Sequence, residues 1–215
     1  KAFVAPSNNT GRIQEAHITA GHAVMEYVED RLVEDGYLYL QDWMNTGSMQ
    51  NNIITLENID AFVFDFDGVL TNNMVHIDQN GKEFVSCSRA DGLAFDVIRE
   101  LQKPAYILST EKNPVVTARA NKLKITALQG ISNKVEGIKE LVDRKGFNLQ
   151  KILYVGNDLN DYKVMQLCGY TACPSDSHET IKSIATIVLK TEGGNGVVRE
   201  LLEDVLQIDF IQILF

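Results

Sequence analysis

The chain has 215 residues, long enough for one full domain with an appendage and short for two. Asp and Glu number 29 against 20 Lys and Arg, a formal net charge of -9 with no basic cluster to follow a phosphate backbone, which argues against a nucleic-acid partner. No signal-peptide pattern or membrane-length apolar run is visible and Cys87, Cys168 and Cys173 fit neither a disulfide framework nor a zinc pair, so a cytoplasmic protein without a membrane partner is expected.

The chain opens on Lys1 in "KAFVAPSNNTGRIQE", and we expect it to be a piece of something longer. Ile13, Ala16, Ala20, Ala23, Tyr27 and Val28 recur at helical spacing and Gly36 is a stop, which predicts a helical segment over residues 1–36. Residues 37–58 show no sustained period, are rich in Asn, Thr, Ser and Gly, and are expected to be a linker. Residues 59–215 then alternate regularly. A strand is predicted at 61–64, a hairpin over 74–86 turning at Asn80-Gly81, and a helix near 91–102. A strand at 105–108 precedes a helix with Asn113 as N-cap and Pro114 at its first position. Next come a strand at 125–128, a helix over 133–145 closed by Gly146, a strand at 152–155, and a helix over 159–167 closed by Gly169. A short strand near Thr171, a helix over 177–185, a strand at 187–189 and a helix from about Gly196 complete the pattern. Strands that alternate with helices and read as continuous apolar runs predict an α/β fold with a doubly wound parallel sheet, a β-hairpin flap and an N-terminal helical extension.

In such a sheet, ligands bind beyond the carboxyl ends of the strands. The run "AFVFDFDGVLTNN" ends its strand in Asp65 and Asp67, and a carboxylate leaving a buried strand needs water, a cation or a donor. The second strand ends in Ser109 and Thr110, Lys134 opens the helix after the third, and the fourth leads into "GNDLND" with Asn157, Asp158 and Asp161. Clustered carboxyl and amide oxygens with no His or Cys suit Mg²⁺. A cation and a hydroxyl beside them can hold a phosphoryl group, so phosphoryl transfer uses every member of the set. One aspartate could attack phosphorus while the other protonates the leaving oxygen and later activates water.

"DFDGVLT", "LST", "SNK" and "GNDLND", in this order and spacing, resemble the four motifs of the haloacid dehalogenase-like phosphatases, a Rossmann-like fold. The resemblance spans roughly residues 60–206 and implies Asp65 as nucleophile and Asp67 as general acid and base, with Ser109 and Lys134 binding the phosphoryl group. It also implies an Mg²⁺ site of Asp65, Asp67 through its carbonyl, Asn157 and Asp158. Within the superfamily the chain resembles the small capless branch that dephosphorylates 3-deoxy-octulosonate 8-phosphate and nonulosonate 9-phosphates, on "DGVLT", the hairpin in place of a cap, "LQG" and "GGNGVVRE". That resemblance implies a phosphorylated sugar-acid substrate and a homotetramer in which the hairpin and Gly-rich tail meet neighbouring subunits.

Where octulosonate enzymes usually read Thr-Gly-Arg, this chain has "STEKNPVVTARANKLKI", similar to phosphatase modules of nonulosonate pathways. On that likeness Thr110, Glu111, Arg119 and Lys122 bind substrate, and local cations on an acidic protein suit a sugar acid, although either helix charge could equally be a solvated surface group. The family commonly carries Gly-Asp-Asp where Asn157 stands here, and the amide still coordinates a cation but brings one charge fewer. Two alternatives stay open: a phospho-accepting receiver domain, in which the phosphorylated Asp follows the third strand, and a catalytically weak oligomerisation module. Finally, "APSNNTGRIQEAHITAGHAVMEYVE" resembles the C-terminal end of sedoheptulose 7-phosphate isomerases of the sugar isomerase fold, with Gln14 and His22 at the positions that act there.

Overall fold

The computed structural model describes residues 54–215. The predicted helix over 1–36, most of the predicted linker, and Gln14 and His22 lie outside the described residues. Residues 54–58 carry Ile54 into the core and form a 3-10 turn at Leu56–Asn58, so they belong to the body they precede.

Six strands form one parallel sheet in the order β5-β4-β1-β6-β7-β8: β1 (Ala61–Phe64), β4 (Ala105–Leu108), β5 (Thr126–Leu128), β6 (Ile152–Val155), β7 (Tyr170–Cys173) and β8 (Ile187–Val188). The remaining two, β2 (His76–Ile77) and β3 (Glu83–Phe84), pair antiparallel as the hairpin, with Gly81 at φ 78° in the turn. From β1 the chain winds outward through β4 and β5, then returns to β6 on the other side of β1. The switch in winding therefore falls between β1 and β6, where a crevice opens at the strands' carboxyl ends.

Alternation within each strand fills two cores. Phe62 and Phe64 pack with Leu153 and Val155 against α1 (Arg89–Glu100) and α2 (Val115–Leu123), joined there by α6 (Val197–Glu200) and α7 (Phe210–Leu214). Ala61, Val63 and Tyr154 face α3 (Lys134–Lys145), α4 (Tyr162–Met165) and α5 (Glu179–Ile184) on the opposite side. β1 is buried on both faces, which is why its sequence is a continuous apolar run rather than an alternation.

Local chemistry sets the helix ends. Asn133 caps α3 by accepting the N–H groups of Val135 and Glu136, and Gly146 closes it at φ 71°. The helix expected over 159–167 is instead a 3-10 turn at Leu159–Asp161 followed by the short α4, because Asp158 and Asp161 bond back to the turn's own backbone. α2 begins at Val115, one residue later than expected, although Asn113 Oδ1 still accepts the Val115 N–H. No helix among the described residues is long and apolar enough to cross a membrane.

Candidate active site

The carboxyl edge of the sheet gathers the polar residues that the sequence spreads over about a hundred positions. Asp65 leaves β1 with its N–H bonded to the Val155 carbonyl, and its Oδ1 accepts the Phe66 N–H at 2.7 Å. Lys134, the first residue of α3, brings Nζ to 2.8 Å from Asp65 Oδ1 and 2.7 Å from Asp161 Oδ1. All three side chains are buried, at 4% exposure for Asp65 and Lys134 and 0% for Asp161.

Asp161 is held from every side. Tyr154 donates its hydroxyl to Oδ1 at 2.7 Å, while Oδ2 accepts the N–H of Asn157 at 2.9 Å and that of Asp158 at 3.4 Å. A Cβ at Gly156 would stand 2.6 Å from the Asp161 carboxyl carbon, so only glycine lets this side chain fold back.

One ammonium thus serves two buried carboxylates, and the electrostatics show the shortfall. Burial first, then the Asp161 charge, push the Asp65 carboxyl up to about 7 in spite of Lys134. Burial alone would lower the Lys134 ammonium, but the facing Asp65 and Asp161 carboxylates outweigh it and raise it. The 2.8 Å ion pair and the raised Asp65 are compatible because the cluster carries more negative charge than one lysine neutralises. Asp67 follows the same direction, raised by burial and then by Glu111. The Tyr154 phenol is raised well above its ordinary value by burial and the same carboxylates, and stays a donor.

These oxygens fit a hard divalent cation. Asn157 is buried at 7% exposure, its amide packs over Gly68, and its Oδ1 is a buried acceptor without a hydrogen-bond partner. An orphaned amide oxygen and an under-neutralised carboxylate at the same edge of the sheet are donors of the kind Mg²⁺ takes. Among the described residues no group of three or more His, Cys, Asp or Glu side chains has metal-holding geometry.

The other predicted residues are placed as follows. Ser109 is buried at the end of β4 and its Oγ accepts the Glu111 N–H at 3.0 Å. Glu111 turns its carboxylate onto the N–H groups of Lys112 and Asn113, and Asn113 in turn donates to Glu83 of the hairpin at 2.7 Å. Thr110 lines a depression of about 270 Å³ with Asn133, Lys134 and Leu159. Arg119 donates to the Ser88 carbonyl at 2.6 Å and, with Arg89 and Lys122, lines a separate cavity of about 340 Å³ between α1 and α2. Asp158 is exposed and its Oδ1 accepts the Leu159 N–H at 2.7 Å, so that oxygen serves the turn.

The structure also gives a role to Asp91, which the sequence reading passed over, and an intrachain partner to the Gly-rich tail. Asp91 in the first turn of α1 accepts the N–H of Val198 at 2.8 Å and of Arg199 at 3.3 Å, fixing the start of α6. The Gly-rich segment before α6 packs on the loop that carries Asp67: Gly194 donates to the Val69 carbonyl at 3.0 Å, and Gly193 to Asp176 Oδ1 at 2.9 Å. The sequence reading assigns this tail to contacts with neighbouring subunits; its glycines also let backbone approach backbone within the chain, against Gly68 and Thr71.

Paired aspartates at the end of a central parallel strand, answered by a serine, a lysine and an acidic loop from the next three, define a Rossmann-like hydrolase site. Comparison with known proteins agrees. The family model of haloacid dehalogenase-like hydrolases matches residues 98–201. The 3-deoxy-D-manno-octulosonate 8-phosphate phosphatase of Escherichia coli is 31% identical over 152 residues, covering 70% of this chain and 81% of that protein. A HAD family hydrolase from Streptomyces avermitilis superposes with a TM-score of 0.71 at 41% identity, over 73% of this chain and 90% of that one. The octulosonate phosphatase from Moraxella catarrhalis, solved with a magnesium ion, a phosphate ion and a KDO molecule, superposes with a TM-score of 0.70 at 26% identity, over 74% and 92%. The chain belongs to the haloacid dehalogenase-like hydrolases, among the phosphatases related to the octulosonate 8-phosphate enzymes.

Proposed function

We propose that this protein is a Mg²⁺-dependent phosphatase that hydrolyses a sugar-acid phosphate through an aspartyl-phosphate on Asp65. The observation that carries the reading is the Lys134 ammonium seated 2.8 Å from the Asp65 carboxylate at the switch point of the sheet. Asp65, Asn157 Oδ1 and the Asp67 carbonyl would hold the cation, with Asp158 adding negative charge at the same edge. The bound cation supplies charge neutralisation for the phosphoryl oxygens and for Asp65.

The protein's own groups then do the rest. Lys134 and the Ser109 hydroxyl hold the phosphoryl group in line with Asp65. Asp65 attacks phosphorus, the P–O bond to the sugar breaks, and Asp67 gives its proton to the leaving oxygen. A raised Asp67 carboxyl, protonated more readily than an ordinary aspartate, suits that first half. The same carboxylate then takes a proton from the water that attacks the phospho-aspartate, releasing phosphate and restoring Asp65.

Arg119, Lys122 and Arg89 around one cavity supply cations for the carboxylate of a sugar acid, with Glu111 and Thr110 nearer the reacting end. The "STEKNPVV" segment favours nine-carbon nonulosonate 9-phosphates over the octulosonate substrate of the relatives. Residues 1–36 are read as the end of a sugar-phosphate isomerase. Met74, Val75, Ile77 and Phe84 are exposed apolar side chains on the hairpin, with Ile77 and Phe84 on its opposite faces, and they support a homotetramer with the hairpin at its interfaces. An oligomerisation module of weak activity is the second reading, motivated by Asn157.

Phosphate release with Mg²⁺ from eight- and nine-carbon sugar-acid phosphates and sedoheptulose 7-phosphate tests the proposal. Turnover of a nine-carbon substrate above the others supports it in full, and turnover of the octulosonate ester alone corrects the substrate. A folded oligomer that releases no phosphate from any of them moves the assignment to the second reading.

A further inference from the structure

Tyr154 stands out on chemical grounds. It is the third residue of β6, fully buried, and its ring packs among Val63, Ile138, Leu141 and Cys168. Phenylalanine would fill that space as well, in a strand whose other members are Ile, Leu and Val. What tyrosine adds is one hydroxyl, and a buried hydroxyl is costly unless it is bonded. Here it has a single use, the 2.7 Å bond to Asp161 Oδ1.

That oxygen also accepts the Lys134 ammonium, at 2.7 Å. Lys134 therefore sits between two carboxylates, and its place depends on how strongly each draws it. With the hydroxyl present, Asp161 Oδ1 divides its lone pairs between two donors and cannot take the ammonium wholly to itself. Without it, Oδ1 has Lys134 alone, and the ammonium is drawn toward Asp161 and away from Asp65. A small displacement of a charge aimed at a transferring phosphoryl group is expensive in rate.

We infer that Tyr154 is a positioning residue for the phosphoryl-transfer step, its hydroxyl setting the balance by which Asp161 and Asp65 share Lys134. The inference rests on the phosphatase reading for its kinetic consequence, but its structural content does not. A residue that merely packs would change stability and leave the lysine alone.

The test is Tyr154→Phe, which keeps the ring, followed by two measurements. Nitrogen-detected NMR of the buried lysine ammonium, identified by its loss in Lys134→Met, reads the position directly. The inference expects the Lys134 signal to shift and its ammonium protons to exchange faster with water, on the order of fivefold, as one restraint on the cluster is lost. Kinetics with Mg²⁺ and the best phosphoester should show kcat lower by roughly tenfold with KM within about twofold, the signature of a group that acts in the transition state. Asp161→Asn should cost less in the Tyr154→Phe background than alone, because both act on one lysine. An unmoved Lys134 signal overturns the inference whatever happens to the melting temperature or kcat, and so does additivity of the two substitutions. If the wild type releases phosphate from nothing, the phosphatase reading fails, while the ammonium signal still decides the role of Tyr154.

Discussion

The Asn157 carboxamide lies on the backbone of Gly68 so closely that a Cβ built at Gly68 would stand 1.9 Å from Nδ2. Gly68 also holds φ 79°, a conformation open mainly to glycine, so the residue after Asp67 is fixed twice over. The contact joins the carboxyl ends of β1 and β6 and brings the Asn157 side chain, whose Oδ1 has no hydrogen-bond partner, onto the loop that carries Asp67.

Asn157→Asp is expected to tighten Mg²⁺ on the order of tenfold, because a carboxylate replaces an amide at an unchanged position and ligand charge tunes cation affinity. Calorimetric titration of Mg²⁺ into the two proteins measures it. An unchanged or weaker affinity would place the cation away from residue 157.

Gly193→Ala should damage the site without touching it. A Cβ there would meet the Gly68 carbonyl oxygen at 2.2 Å and the Thr71 carbonyl at 3.0 Å, both backbone atoms that cannot step aside. The loop carrying Asp67 must shift, with a stability loss of about 1 to 3 kcal/mol and a fall in kcat, checked by urea denaturation and steady-state rates. Wild-type kcat in a stably folded variant would show that Asp67 does not depend on this packing.

Asp91 gives a pH dependence with a definite sign. Burial raises its carboxyl to about 6, with the Val198 and Arg199 N–H groups pulling the other way, and its Oδ2 is buried without a partner. A folded pKa above the unfolded one means that ionisation weakens the fold. The cost is absent below the ordinary 3.8, grows as pH rises from about 4 to 6, and is complete above that. Relative to Asp91→Asn, which cannot ionise, the wild type should lose roughly 2 to 3 kcal/mol between pH 4 and pH 7. Urea melts of both proteins across this window measure the difference, and parallel curves would show that Asp91 titrates normally.

The sequence made the sheet readable because β1, β4 and β6 are buried on both faces, which leaves apolar runs that no amphipathic helix imitates. Asn133 and Gly146 bracketed α3 by cap chemistry alone. Asp65, Ser109 and Lys134 were legible from their places at element ends. Asp158 and Asp161 were harder, since two acids three residues apart in a polar loop look alike. The 3-10 turn sends Asp161 inward to Lys134 and leaves Asp158 exposed, a choice made by Gly156 and the turn's hydrogen bonds. Tyr154 was invisible for the opposite reason, because a tyrosine inside an apolar run reads as packing. Asp91 read as an ordinary first-turn acid, and only the fold reveals that it caps a helix more than a hundred residues further along.

If Asp65 accepts the phosphoryl group, the aspartyl-phosphate can be trapped. Enzyme turning over its best sugar-acid phosphate with Mg²⁺ is quenched into borohydride, which reduces an acyl phosphate to the alcohol, and the peptide over residues 61–73 is sequenced by mass spectrometry. Homoserine is expected at position 65, none at position 67, and none in Asp65→Asn, which should also have lost turnover. Rapid turnover with residue 65 never reduced, or with Asp65→Asn fully active, would contradict phosphoryl transfer to Asp65.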